Sequence, residues 1–380
     1  MRGGSWDIFC TVVDNFGDIG VTWRLAKQLA AEHGLAVRLW VDDLSAFASI
    51  CPQADRQAPQ QWRDGVDVRH WSTPWQGAIE PAEVVVEAFA CRLPAEYEAA
   101  MVGRGGSLWL NLEYLSAEDW VGNCHALPSL QPSGARKYFF FPGFVAGTGG
   151  LLRERGLIAR REAFQRDPLE QARFIDALGI QRTPAARLVS LFAYENPALG
   201  SWLEALAGED RQTLLLVPQG RIAANLSASL GVDAVQAGER FERGSLSIQV
   251  LSFLSQEDYD RLLWCCDFNA VRGEDSFLRA QWAGRPLLWH IYPQEDDAHW
   301  DKLDAFLGLY RQGLSARAGA AFAALWRAWN AGEAMGAAWT ELVRHEAELN
   351  RHAERWCAER AEQEDLAAQL VGFSRAIARG

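Results

Sequence analysis

The chain has 380 residues, 49 acidic side chains against 37 basic ones, and a formal net charge of −12. That balance argues against binding DNA or RNA through a basic surface, though one arginine and a few backbone amides could still hold a small anion. With 49% hydrophobic and 23% charged residues the chain is an ordinary globular one, long enough for two domains.

The 17 tryptophans outnumber the 7 tyrosines and read as core material, each burying a large area for a single N–H to satisfy. No apolar run approaches the roughly 20 residues of a membrane span, and the start has no secretory signal pattern. The seven cysteines are scattered without a CxxC pair. A cytoplasmic protein is expected, with neither a zinc ribbon nor a thioredoxin-type site and with no membrane partner.

In chain order, 6–13 reads as a strand, 20–32 as a helix with Trp23, Leu25, Ala26 and Leu29 on one face, and 37–41 as a second strand. Strands at 84–89 and 108–112 flank a helix at 94–101, and a strand at 137–141 ends at Pro142-Gly143. Residues 151–183 look helical, charged and linker-like. The pattern then restarts: a strand at 187–193, a helix at 197–206 opened by Asn196-Pro197, and strands at 213–217, 246–251, 268–271 and 286–291. Helices are expected at 256–266, 275–283 and 297–310, and helical sequence runs from Ser315 onward. Strands alternating with helices predict two α/β domains with parallel sheets facing a cleft: 1–183 and 184–361, with about 362–380 packing back on the first.

Ligands of such sheets bind outside the carboxyl ends of the strands, so the strand-to-helix turns are the candidates. The turn Asp14-Asn15-Phe16-Gly17-Asp18-Ile19-Gly20 carries two carboxylates four apart. They fit an Asx turn at Asp14 and a helix cap at Asp18; equally, they could converge on a cationic group or on a proton to be removed. The turn Arg272-Gly273-Glu274-Asp275-Ser276-Phe277 combines a cation, helix N-terminal amides and Ser276, which suits an anion, while its acids also suit capping. Phe192 and Tyr194 end one strand, and Phe253 and Gln256 follow another. Aromatics there could stack a nucleobase whose edge Gln256 reads, or could simply be core. Asp258-Tyr259-Asp260 matches a DxD metal pattern but falls on a helix, where residues two apart diverge. Gly147–Gly150 precedes no strand–helix phosphate fingerprint, and no GxSxG elbow is present.

The acidic turn at 14–20, Asn111-Leu112-Glu113-Tyr114-Leu115-Ser116, Phe139-Phe140-Phe141-Pro142-Gly143-Phe144, the turn at 272–277, and Tyr292-Pro293-Gln294 with His299 together resemble the EarP family. These are protein-arginine rhamnosyltransferases that modify elongation factor P. The resemblance implies a GT-B glycosyltransferase fold of two Rossmann-like domains and a metal-independent, inverting reaction without a cofactor. It implies dTDP-β-L-rhamnose as donor and an arginine of elongation factor P as acceptor. By motif position it makes Asp14, Asp18 and Glu274 the catalytic carboxylates. Phe192, Tyr194, Phe253, Gln256, Arg272, Asp275, Ser276 and Tyr292 would line the donor pocket. Asn15, Phe16, Gly17, Glu113 and Tyr114 are candidates for contact with the acceptor. A GT-B enzyme for another nucleotide sugar or a small acceptor, and a non-catalytic nucleotide-sugar-binding module, are the alternatives.

Overall fold

Two α/β units make up the chain: residues 1–155 with 360–380, and residues 156–359. The computed structural model describes residues 4–13, 16–75, 77–183 and 185–379. Asp14 and Asn15 therefore lie outside the described residues.

The first unit carries β1 (Ser5–Cys10), α1 (Gly17–His33), β2 (Ala36–Val41), α2 (Leu44–Ile50), β3 (Gln60–Arg63), β4 (Val66–His70), β5 (Val84–Ala88), α3 (Ala95–Arg104), β6 (Leu108–Leu112), α4 (Val121–Cys124), β7 (Pro128–Leu130) and β8 (Arg136–Phe140). They form one sheet in the order β3-β4-β2-β1-β5-β6-β8-β7. The inner strands are parallel; the edge pairs β3–β4 and β7–β8 are antiparallel. Strands such as Val84-Val85-Val86 are apolar on both faces because helices cover both faces.

One face of this sheet buries Phe9, Trp40, Val85, Tyr97 and Trp109 together. Beneath them sits a fully buried carboxylate, Asp7. It accepts from Arg38 Nε at 2.5 Å and Nη2 at 2.6 Å, from Trp40 Nε1 at 3.0 Å, from the Ala82 amide at 3.1 Å, and from the Tyr97 hydroxyl. A charge there is tolerated because each lone pair meets a donor.

The second unit contains α5 (Leu157–Arg166), α6 (Pro168–Ala177), β9 (Arg187–Leu191), α7 (Leu199–Ala207), β10 (Thr213–Pro218), α8 (Ala223–Leu230), β11 (Arg240–Arg243), β12 (Leu246–Leu251), α9 (Gln256–Cys265), β13 (Phe268–Arg272), α10 (Asp275–Trp282), β14 (Leu287–His290), α11 (Ala298–Tyr310), α12 (Ala316–Asn330), α13 (Gly336–Val343) and most of α14 (Glu346–Ala361). Its sheet runs β11-β12-β10-β9-β13-β14, parallel except for β11. Trp202, Trp329 and Trp339 cluster at ring separations of 5.4–5.6 Å, as expected of core tryptophans. Trp62 and Trp120 depart from that expectation at 63% and 49% exposure.

The second unit starts at Gly156, not at residue 184. The stretch read as linker-like is two packed helices: Phe164 of α5 meets Phe174 and Trp264 edge-on, and Gln165 Nε2 donates to the carbonyls of Trp264 and Ala283. Frequent charges outside one narrow apolar stripe gave that segment a linker's composition. The last helix, α15 (Leu366–Ile377), belongs to the first unit. Asp365 caps it and accepts from Gln28 of α1 at 3.0 Å, and Phe373 packs on Tyr138 and Phe140.

In each sheet the strand order reverses beside the first strand, between β1 and β5 and between β9 and β13. Crevices at such reversals lie at strand carboxyl ends. The turn after β1 and the turn after β13 both start there.

Candidate active site

In the first unit, α1 begins at Gly17 with Phe16 at the N-cap and no side-chain cap. Asp18 does not serve as that cap. Its carboxylate turns back over the loop, Oδ2 accepting from the Val13 amide at 3.0 Å and Oδ1 from the Tyr114 hydroxyl at 3.2 Å. Asp18 is buried, so the two bonds offset the cost of a desolvated charge. Tyr114, just past β6, lies flat on Phe89, just past β5, at 4.5 Å and 19°. Glu113 accepts from the Asn111 amide and is half-buried beside it. The Cys10 thiol at the end of β1 is pushed well above its ordinary range by burial, with Asp18 adding to the effect.

In the second unit, β13 ends at Arg272, a buried guanidinium whose carbon lies 4.7 Å from the ring centroids of both Phe192 and Tyr194. Gly273 adopts φ +62 and lets the chain turn sharply into α10. Glu274 occupies the N-cap without a side-chain cap bond, so capping does not account for it. Asp275 accepts from Gln256 Nε2 at 3.3 Å, tying α10 to α9. The Ser276 hydroxyl donates to the Arg272 carbonyl, so its proton is spent within the turn and its backbone amide is what remains to face an anion.

The aromatic residues expected here converge. Phe192 meets Phe253 at 6.5 Å, and Tyr194 meets Tyr292 at 5.5 Å. Gly220 gives Phe192 room: a Cβ there would stand 3.0 Å from its ring.

Three neighbours went unassigned in the sequence. Tyr259 packs on Phe192 at 5.6 Å; it sits three residues after Gln256, on the same helix face. Arg221 lies over Tyr194 at 5.4 Å and pairs with Glu195 at 2.9 Å. Burial pushes Glu195 up, but the Arg221 bond and charge, a backbone amide and the Arg272 charge together hold the carboxyl below its usual range. His290 meets Tyr194 edge-on at 5.2 Å, and burial, with the Arg272 charge second, lowers its pKa to about 3. The signal for Arg221 was its place in a strand-to-helix turn, after β10.

Among the described residues no group of three or more His, Cys, Asp or Glu side chains is placed to hold a metal ion. Asp260 of the DxD match forms instead a buried pair with Arg279, Oδ2 to Nη2 at 2.6 Å. Among them, too, no helix is long and apolar enough to cross a membrane.

Comparison with known proteins settles the family. A family described as Elongation-Factor P (EF-P) rhamnosyltransferase EarP matches residues 6–375. The chain belongs to the EarP family. A protein-arginine rhamnosyltransferase from Pseudomonas putida is 61% identical over 98% of both chains. A solved structure concerned with EarP-mediated arginine glycosylation of translation elongation factor EF-P is 46% identical, with a TM-score of 0.72 over 98% of this chain and 99% of that one. A UDP-glucosyltransferase from Polygonum tinctorium is similar in fold alone, at 10% identity and a TM-score of 0.55 over 99% of this chain and 98% of that one. The EarP-family chain is thus an enzyme, a glycosyltransferase of GT-B fold built from two Rossmann-like units.

Proposed function

We propose that this enzyme moves L-rhamnose from dTDP-β-L-rhamnose to an arginine guanidinium of elongation factor P, in the cytoplasm, with inversion at the anomeric carbon. The first unit binds the acceptor and the second binds the nucleotide sugar. Family membership supports the donor and acceptor classes, and the observation that carries the mechanism is the buried Asp18 carboxylate with a hydrogen bond on each oxygen.

A guanidinium has a pKa above about 12 and is a poor nucleophile while protonated. Asp18 is the general base. As the nitrogen–C1 bond forms, Asp18 takes the nitrogen's proton, and the C1–oxygen bond breaks with its electron pair leaving on dTDP. Asp14 holds and orients the guanidinium, and Phe16, Gly17, Glu113 and Tyr114, with Asn15, contact the acceptor segment. Charge on the departing diphosphate is offset by Arg272 and the α10 amides, without a metal. Phe192, Tyr194, Phe253 and Tyr292 supply faces for the base and sugar, and Gln256 reads an edge. Asp275 keeps Gln256 in place, and Glu274 orients the sugar or the acceptor arginine.

The test is direct. The enzyme is incubated with dTDP-β-L-rhamnose and elongation factor P, and intact-protein mass spectrometry looks for one added deoxyhexose on arginine. An adduct only with another nucleotide sugar overturns the donor assignment, and no adduct on this acceptor overturns the acceptor.

A further inference from the structure

Two consecutive residues without glycine's freedom, Phe89 and Ala90, adopt left-handed backbone at φ +57 and +56 directly after β5. A Cβ in that region crowds the following carbonyl, and such strain persists only where the surroundings over-determine it. Here they do. The Phe89 amide donates to the Leu112 carbonyl at 2.7 Å, and the Cys91 amide to the Ala88 carbonyl at 3.1 Å. The Cys91 thiol donates to the Phe9 carbonyl, and the Leu93 amide to the buried Glu87 carboxylate, each at 3.1 Å.

The turn has a directional result. Side chains alternate along a strand, so an extended residue 89 would fall on the face of Val85, in the core with Phe9, Trp40 and Tyr97. Instead the Phe89 ring stays half-buried and lies flat on Tyr114, whose hydroxyl donates to Asp18. A flat stack fixes the plane of the Tyr114 ring, and therefore the direction in which its hydroxyl points.

We infer that Phe89 is a positioning residue: carried on the strained turn after β5, its ring sets Tyr114 so that the hydroxyl holds Asp18 in the orientation that accepts the guanidinium proton. This rests on the reading of Asp18 as the base.

The test compares Phe89→Leu, Phe89→Ala and Phe89→Tyr with Tyr114→Phe and Asp18→Asn in the intact enzyme. Phe89→Leu is expected to lower kcat about tenfold while donor and acceptor KM stay within about twofold, with Phe89→Tyr restoring kcat. Adding Phe89→Leu to Tyr114→Phe should cost little more than Tyr114→Phe alone, because both remove one interaction. Wild-type kcat in Phe89→Leu, a rise in acceptor KM alone, additive losses in the double variant, or kcat losses that merely follow melting temperature would each overturn the inference. Phe89→Leu and Phe89→Tyr carry the test if Phe89→Ala does not fold, and failure of all three to fold overturns it. Asp18→Asn keeps the two questions apart. Full turnover in that variant removes the base reading itself, whereas its loss beside an active Phe89→Leu removes only the role of Phe89.

Discussion

The guanidinium of Arg272 stacks 4.7 Å from the ring of Tyr194, with Phe192 at the same distance. Lysine keeps the charge but not the plane, so Arg272→Lys loses both stacking contacts and the fork that fits a diphosphate. Donor affinity should fall about tenfold or more, measured by calorimetry with dTDP-β-L-rhamnose. Unchanged affinity would remove Arg272 from the donor pocket.

Asp18→Asn preserves size while removing the proposed proton acceptor. General-base catalysis is worth roughly a hundredfold to ten-thousandfold, so kcat should fall by about a thousandfold. Donor affinity should hold within about twofold, because the donor-binding residues proposed here all belong to the second unit. Single-turnover assays with mass-spectrometric readout separate the two effects.

His290 supplies a pH dependence. Its pKa of about 3 in the folded chain lies below the ordinary 6.5, through burial first and the Arg272 charge second. The unfolded chain therefore binds the proton more readily. The stabilisation is fully present above about pH 6.5 and drains away as pH falls toward 3, by up to roughly 5 kcal/mol. Thermal melts of the wild type and of His290→Phe between about pH 4 and 7 should show a flatter profile for the variant. Parallel profiles would refute this.

Asp7 makes a prediction about stability alone. Asparagine there would turn an amide donor toward the Arg38, Trp40 and Tyr97 donors and leave the half-buried Arg38 guanidinium without its carboxylate partner. Removing one partner of such a pair costs about 3–5 kcal/mol, so Asp7→Asn should melt well below the wild type. Donor binding should survive in any fraction that remains folded.

The inner parallel strands were legible because helix-covered strands are continuous apolar runs, as at 84–86 and 108–110. The hairpin β3–β4 and the edge strand β7 were not. Gln60-Gln61-Trp62-Arg63 and Pro128-Ser129-Leu130 are short and half-solvated, and their order comes from the neighbouring strand. Within the site, motif position led to Asp18, Arg272 and the aromatic cluster. It could not show that Asp18 points backward to Val13 instead of capping α1, since that choice is made by Tyr114, nearly a hundred residues away in the chain. Phe89 gave no signal at all, because an apolar residue ending an apolar strand carries no mark of a left-handed backbone.

The second unit is inserted between two pieces of the first, with the crossings at 155–156 and 359–360. That arrangement sets an order on the ribosome. The strands of the first sheet emerge early, but α15, which covers part of it through Phe373, emerges only after the whole inserted unit has been translated. Domains generally fold as units during synthesis, so residues 156–359 can close their core while the first sheet still waits for its last helix. The unit that carries the proposed base, Asp18, is the last to be completed, and newly made protein closes the unit proposed to bind the nucleotide sugar before the one proposed to bind the acceptor is whole.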